Sequence, residues 1–119
     1  MEEPTRPTEW TRATLVLCTL SSLQDGPTYG YDIAAHLARA QLGTVKGGTL
    51  YPLLNRLEAQ GLVHAEWRAG SGGPGRKYYE LTVAGLTELD RLRDAWRQHS
   101  SNVTDFVYRL PHTTQETSS

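Results

Sequence analysis

The sequence predicts a mainly α-helical fold with a small two-stranded antiparallel hairpin and a long C-terminal helix. Residues 47–63, GGTLYPLLNRLEAQGLV, space their apolar side chains as one face of a helix does. Two alternating segments then flank a glycine-rich stretch, the pattern of a hairpin. After Thr82, apolar residues recur every three or four positions. These three stretches define the fold class.

The helix in residues 47–63 has a core face and a polar face. The core face carries Leu50, Leu53, Leu54 and Leu57, and the polar face carries Tyr51, Asn55, Arg56 and Gln60. Pro52 has no backbone N–H, so the helix is predicted to begin between Lys46 and Thr49. Gly61 is predicted to end it in a left-handed conformation, with Leu62 packed back on Leu57.

The hairpin follows at once. In the first strand Val63, Ala65 and Trp67 alternate with polar residues, and Tyr79 and Leu81 of the returning strand are predicted to face the same side as Trp67. Residues 70–75, GSGGPG, are predicted to form a flexible loop tip. A helix followed by a basic hairpin is the layout of a winged helix-turn-helix, whose helix enters the DNA major groove.

Three segments carry a resemblance to a known family. GGTLYPLLNRLEAQGLV and GPGRKYYELTVAGL resemble the recognition helix and wing of PadR-like transcriptional regulators, and TYGYDIAAHL resembles their second helix. The resemblance covers roughly Leu15 to Trp96, and it departs from the family pattern at Gly47, Gly48 and the glycine-rich wing. It implies a homodimer joined through the first and last helices, a repressor of palindromic operators and, in many members, a response to a small molecule.

The charge distribution agrees with a double-stranded DNA partner, although the formal net charge of the 119 residues is only −1. Residues 39–77 contain six basic and two acidic residues, a difference of +4. A solvated charged face is the alternative. The candidate DNA-binding residues are Tyr29, Lys46, Thr49, Tyr51, Asn55, Arg56, Arg76 and Lys77. On the helix, Asn55 is predicted to read a base, and Lys46, Thr49 and Tyr51 mainly to contact phosphate. Arg76 and Lys77 are predicted to contact the minor groove or its flanking phosphates, and solvation of the hairpin is their alternative role. Packing is the alternative role of Tyr29.

The N-terminal part is divided into an arm and two helices. Residues 1–7 are predicted to be a flexible arm and residues 8–82 the winged domain. The first helix should run from Thr8 to about Leu23, with Trp10, Ala13, Leu17 and Leu20 on one face that a partner's last helix covers. The second should span residues 29–42. Its predicted inward residues are Ile33, Ala34, Leu37 and Ala38.

Residues 83–110 are predicted to be the dimerisation helix, capped by Thr82, and residues 111–119 a disordered tail. The poor helix formers at 100–102 leave a kink or fraying after His99 open. The predicted dimer interface comprises Trp10, Leu17, Leu89, Leu92, Trp96, Val103, Phe106 and Leu110. A small aromatic effector is predicted between Leu15, Leu89, Leu92, Trp96, His99 and Val103. Members of the multidrug branch, which this resembles, bind such compounds between tryptophans; the alternative is that Trp96 only fills the interface.

Other classes fit the sequence less well. The four histidines are scattered, and neither metal-ligand spacing nor a phosphate-binding glycine loop is present, so no enzyme, cofactor or metal is expected. A membrane-spanning run and an export leader are missing, which favours a cytoplasmic location without membrane association. The remaining rival is a winged-helix module that binds a protein instead of DNA.

Overall fold

A computed structural model of the chain describes residues 9–70 and 73–111, and it confirms the predicted fold class. The elements are α1 (Glu9–Ala13), α2 (Leu15–Ser22), β1 (Thr28–Tyr29), α3 (Gly30–Arg39), α4 (Gly47–Ala59), β2 (Val63–Gly70), β3 (Gly73–Leu81) and α5 (Val83–Val107). The predicted arm, and the predicted tail after Pro111, lie outside the described residues. None of the described helices is long and apolar enough to cross a membrane.

The core lies between the helices and one face of the sheet. The four leucines predicted on the inner face of α4 are all buried, as are Leu20 of α2 and Ile33 of α3. Tyr79 closes the core from the sheet side. Burial raises the pKa of the Tyr79 phenol above its usual value, and nearby Lys77 acts in the opposite direction.

The first predicted helix is divided in two at Thr14. The Thr14 hydroxyl donates to the backbone carbonyls of Trp10 (2.9 Å) and Thr11 (3.3 Å). Such hydrogen bonds from a threonine to its own helix bend the helix, and Thr14 has φ −107° and ψ 14°. Thr11, Leu15 and Leu20 are buried within the chain. The cover of the predicted face by a partner's last helix stays a prediction.

The second predicted helix is shorter than residues 29–42. Tyr29 lies in the short strand β1, which the sequence analysis missed, and α3 ends at Arg39. The helix ends because Gln41 has a left-handed φ of 68°, after which the Leu42 N–H donates to the Leu37 carbonyl (3.0 Å). Ala38 was predicted to face inward, but it is exposed because it lies on the opposite side of α3 from Ile33.

Both ends of α4 agree with the prediction. The helix begins at Gly47, and Pro52 lies in its first turns. At the C-terminus Gly61 has φ 77°, its N–H donates to the Glu58 carbonyl, and the Leu62 N–H donates to the Leu57 carbonyl, both at 2.9 Å. This pair of bonds is a Schellman motif, which requires the left-handed glycine.

The sheet has the order β1-β3-β2 with antiparallel pairing throughout. Gly70 pairs with Gly73, so the strands continue into the region predicted to be a loop. Backbone pairing does not require side chains, which explains why glycine composition misplaced the strand ends. Trp67 lies on the same face of the hairpin as Tyr79 and Leu81, as predicted, and its side chain is exposed. The hairpin extends past the end of the core, so this face is not buried along its whole length.

The last helix, α5, begins at the predicted cap. The Thr82 hydroxyl accepts from the Gly85 N–H (2.9 Å) and donates to the Gly61 carbonyl (2.7 Å). The helix continues without a break from Val83 to Val107, past His99. It stops three residues before the predicted Leu110. The residues buried in α5 are Gly85 and Leu89, both near its start.

Candidate nucleic-acid interface

The exposed face of α4 consists of small residues around one amide side chain. Counting 100° per residue from the buried leucines, the face opposite the core contains Gly48, Pro52, Asn55 and Ala59, all of which are exposed. No atom lies within 4 Å of the position that a Cβ on Gly48 would occupy. Because its neighbours on this face are small, Asn55 is the polar side chain that extends from the middle of the face.

Two flanks border this face. Thr49 and Arg56 lie on one flank and are exposed. Tyr51 and Glu58 lie on the other, about 20° apart by helical geometry. The Tyr51 ring packs over two glycines: a Cβ on Gly30 would lie 2.5 Å from its hydroxyl oxygen, and a Cβ on Gly47 would lie 3.3 Å from its ring. The structure therefore holds the Tyr51 ring against the starts of α3 and α4.

The start of α4 is open to a ligand. Lys46 is the N-cap residue, and it is exposed. A lysine ammonium group has no acceptor, so it leaves the N–H groups of the first turn uncapped. The backbone N–H groups of Gly47 and Gly48 lie in that turn, and neither residue has a side chain. The partial positive charge of a helix N-terminus and the Lys46 ammonium group thus occur together, and both favour an anion such as phosphate.

The outer face of the sheet carries a stack of four side chains. The Arg68 guanidinium lies 4.5 Å from the centroid of the Tyr78 ring, and that ring lies 5.3 Å from the Tyr29 ring. The Arg76 guanidinium lies 4.6 Å from the Tyr29 centroid. Cation–π contacts restrict both guanidinium groups. Arg68 also forms an ion pair with Glu66, whose carboxylate oxygen lies 3.4 Å from its Nε. The sequence analysis missed Arg68, and the ladder pairing of Arg68 with Arg76 explains its position in this stack.

Lys77 lies on the other face of the wing, and it is less free than predicted. Its ammonium nitrogen lies 3.3 Å from a carboxylate oxygen of Glu58, and its side chain is 29 % exposed. It also lies 5.7 Å from the centroid of the Tyr79 ring. In this structure Lys77 connects the wing to the Glu58 side of α4, whereas Arg76 points to the opposite face of the sheet.

A second candidate site is an apolar groove of about 600 Å³ between the two N-terminal helices and α5. Four of the predicted effector residues line it, namely Leu92, Trp96, His99 and Val103, together with Trp10, Ala13, Val16 and Leu17. The other two predicted residues, Leu15 and Leu89, do not line it. Both are buried in the hydrophobic core of their own chain.

The predicted dimer interface contains large exposed apolar side chains. Trp10 is 75 % exposed and Phe106 65 % exposed, and Trp96, Val103 and Leu110 are also exposed. Leu89 is again the exception, since it is buried within one chain. Among residues 9–70 and 73–111, no group of three or more histidine, cysteine, aspartate or glutamate side chains is arranged to hold a metal ion.

Comparison with known proteins gives a consistent result. Residues 19–91 match the model of the transcriptional regulator PadR-like family. The transcriptional regulator Rv3488 of Mycobacterium tuberculosis is 36 % identical over 95 residues, which cover 80 % of this chain and 87 % of that protein.

Solved structures are also similar. A PadR family transcriptional regulator from Eggerthella lenta is 37 % identical with a TM-score of 0.77, and the match covers 86 % of this chain and 88 % of that one. A PadR-like transcriptional regulator from Bacillus cereus is 29 % identical with a TM-score of 0.77, over 87 % of this chain and 100 % of that one.

Proposed function

The chain belongs to the PadR-like family of transcriptional regulators, not to a family of enzymes, and we propose that it is a homodimeric repressor that binds a palindromic operator and is released by a small-molecule effector. The observation that carries the proposal is the face of α4 in which Gly48, Pro52 and Ala59 surround Asn55. Small residues allow a helix to approach the base edges closely, and an amide can pair with an adenine in the major groove. The proposal includes a cytoplasmic location.

Phosphate contacts are proposed on both sides of this helix. Lys46 and Thr49 at the start of α4, together with Arg56 on its flank, are exposed and can contact one strand. The proposed role of Tyr29 is to hold Arg76 in place through its ring, and its hydroxyl is proposed as a second phosphate contact. The proposed role of Lys77 is weaker than that of Arg76, because a phosphate would have to compete with Glu58 for its ammonium group.

The dimer is proposed because, among the residues that the structure describes, none covers the apolar side chains in the second half of α5. The helix has 25 residues, about 37 Å at 1.5 Å per residue, and its buried residues lie in the first two turns. Val103, Phe106 and Leu110 would otherwise leave a long apolar surface in water. A second copy packed on α5 and on Trp10 of α1 would cover it by two-fold symmetry.

The effector is proposed to occupy the groove between the N-terminal helices and α5. Trp10 and Trp96 contribute indole rings to the lining, and His99 and Thr104 contribute polar groups. A volume of about 600 Å³ lies within the range of small-molecule sites. A planar aromatic compound fits this lining better than a charged one, because indole rings favour stacking.

The proposal is tested by selecting bound duplexes from a pool of genomic fragments with the purified protein. A palindromic operator should emerge, and its binding should weaken steeply with salt because phosphate contacts release counterions. Sedimentation of the complex should give two chains per operator. If the pool shows no enrichment and random duplex binds with no salt dependence, the DNA-binding proposal fails and a protein-binding module becomes the better explanation.

A further inference from the structure

The Tyr51 ring lies between two glycines that begin different helices. Its Cδ2 and Cε2 atoms lie over Gly47, four residues earlier in α4, where a Cβ would be 3.3 Å away. Its hydroxyl end and opposite edge lie over Gly30 at the start of α3, where a Cβ would be 2.5 Å from the hydroxyl oxygen and 2.6 Å from Cε1 and Cζ. The ring therefore fills the space between the two helix starts, and Gly30→Ala would take part of that space.

Core packing does not account for this arrangement. Tyr51 is 45 % exposed, whereas the four leucines on the inner face of α4 are buried. The Gly30 backbone beneath the ring is buried, so the ring covers the start of α3 at the protein surface. A partly exposed ring removes less apolar area from water than a core side chain, so its burial contributes less to folding. Its constrained position is therefore better explained by what it holds together.

Both helix starts are joined to proposed phosphate contacts. Lys46 directly precedes Gly47 and is the N-cap residue of α4. Tyr29 directly precedes Gly30, and the Arg76 guanidinium lies 4.6 Å from the centroid of the Tyr29 ring. A shift of the start of α3 relative to the start of α4 would therefore move Tyr29, and Arg76 with it, relative to Lys46.

We infer that Gly30 and Gly47 are positioning residues for DNA binding: they make room for the Tyr51 ring, which fixes the start of α3 against the start of α4. This inference rests on the proposed function and extends it. Lys46 and Arg76 can then reach phosphates together, without the entropy cost of ordering two mobile helix starts on DNA. Tyr51 thus acts through other residues, in place of the phosphate contact predicted for it from the sequence.

The test measures urea unfolding and operator binding of Gly30→Ala, with the operator selected from genomic fragments. The new Cβ meets the far end of a flexible side chain and alanine favours helix, so the urea midpoint should stay close to that of wild type. Operator affinity should fall by about tenfold or more, because each chain misplaces one contact to a charged phosphate. The slope of log affinity against log salt should flatten by about one phosphate contact per chain.

The matched control is Gly85→Ala, which adds the same methyl group in the first turn of α5. There the new Cβ meets the Leu62 backbone instead of a ring that can turn aside. This control should lower the urea midpoint and leave operator affinity and salt slope unchanged at a temperature where the variant is folded. The two variants should therefore separate an effect on binding from an effect on stability.

Two changes of Tyr51 keep the inference open to refutation if Gly30→Ala folds poorly. Tyr51→Phe keeps the ring, so it should bind operator within about twofold of wild type. Tyr51→Ala should reproduce the loss of affinity and the flatter slope, and adding Gly30→Ala to it should change neither, because no ring remains to be displaced.

Wild-type affinity and slope for a folded Gly30→Ala, or for Tyr51→Ala, would overturn the inference while leaving DNA binding intact. A loss from Tyr51→Phe as large as that from Tyr51→Ala, with an unchanged salt slope, would assign the hydroxyl a direct phosphate contact and would also overturn it. If the wild-type protein binds no duplex, the proposed function fails as well.

Discussion

The contact between α5 and the end of α4 makes Gly85 the position where adding one methyl group should do most harm. Gly85 is buried in the first turn of α5. A Cβ there would lie 2.0 Å from the Leu62 carbonyl oxygen and 3.2 Å from Cδ2 of Leu81. The obstructing oxygen belongs to the backbone and accepts a hydrogen bond from the Thr82 N–H (3.1 Å), so it cannot turn aside without breaking that bond.

The size of the effect follows from two opposing contributions. Replacing glycine by alanine inside a helix is normally favourable by about 1 kcal/mol. Overpacking a filled site costs about 1–3 kcal/mol, and an approach of 2.0 Å against backbone belongs at the upper end of that range. Gly85→Ala should therefore destabilise the protein by about 2 kcal/mol in net terms, even though it improves helix propensity.

Urea unfolding at a fixed chain concentration measures this change, because the stability of a dimer depends on concentration. The matched control is Gly48→Ala in α4, where no atom lies within 4 Å of the new Cβ and φ is not left-handed. That control should raise stability by up to about 1 kcal/mol. If Gly85→Ala also raised stability, the close packing of α5 against Leu62 would be refuted.

Three further predictions concern DNA and effector binding. Asn55→Ala should weaken operator binding by about 1–3 kcal/mol and reduce the preference among bases, whereas Lys46→Ala should weaken binding to operator and random duplex alike. Fluorescence anisotropy titrations measure both affinities, and an equal loss on both duplexes from both variants contradicts the assignment. Glu58→Gln removes the carboxylate from the 3.3 Å ion pair with Lys77, so the slope of log affinity against log salt should steepen by about one phosphate contact per chain. An unchanged slope would leave Lys77 with a structural role. Trp96→Ala should abolish the effector-induced release of DNA while operator binding persists, and a DNA-release assay with a planar aromatic compound measures this. If the variant becomes monomeric, or still responds to the compound, Trp96 has only a packing role.

Local signals in the sequence predicted the elements whose ends depend on nearby residues. Gly61 ends α4 because a Schellman motif needs a left-handed residue within the same few positions. Thr82 caps α5 through an N–H three residues ahead. Both are decided by short stretches of chain, so composition and spacing are enough to find them.

Features that depend on distant contacts were missed. The strand β1 has two residues and exists only because Thr28 and Tyr29 pair with Tyr79 and Tyr78, some fifty positions away. The period of β2 correctly assigned Trp67 to a face, but a period carries no information about where the core beneath that face ends. The stack that holds Arg76 depends on the same long-range register.

The row of apolar side chains along α5, referred to as its seam, also shows what spacing alone cannot predict, and here the missing information concerns assembly. A spacing of three and four marks apolar positions without saying which chain covers them. Leu89 and Leu92 meet their own chain's core, with Leu89 1 % exposed, whereas Phe106 and Leu110 continue the same seam into solvent. The change occurs where the winged domain ends and α5 continues past it. One helix thus carries a folding surface in its first turns and, on our proposal, a dimer surface in its last turns. The groove lined by Trp96 lies along the same helix, where the proposed effector would contact both surfaces.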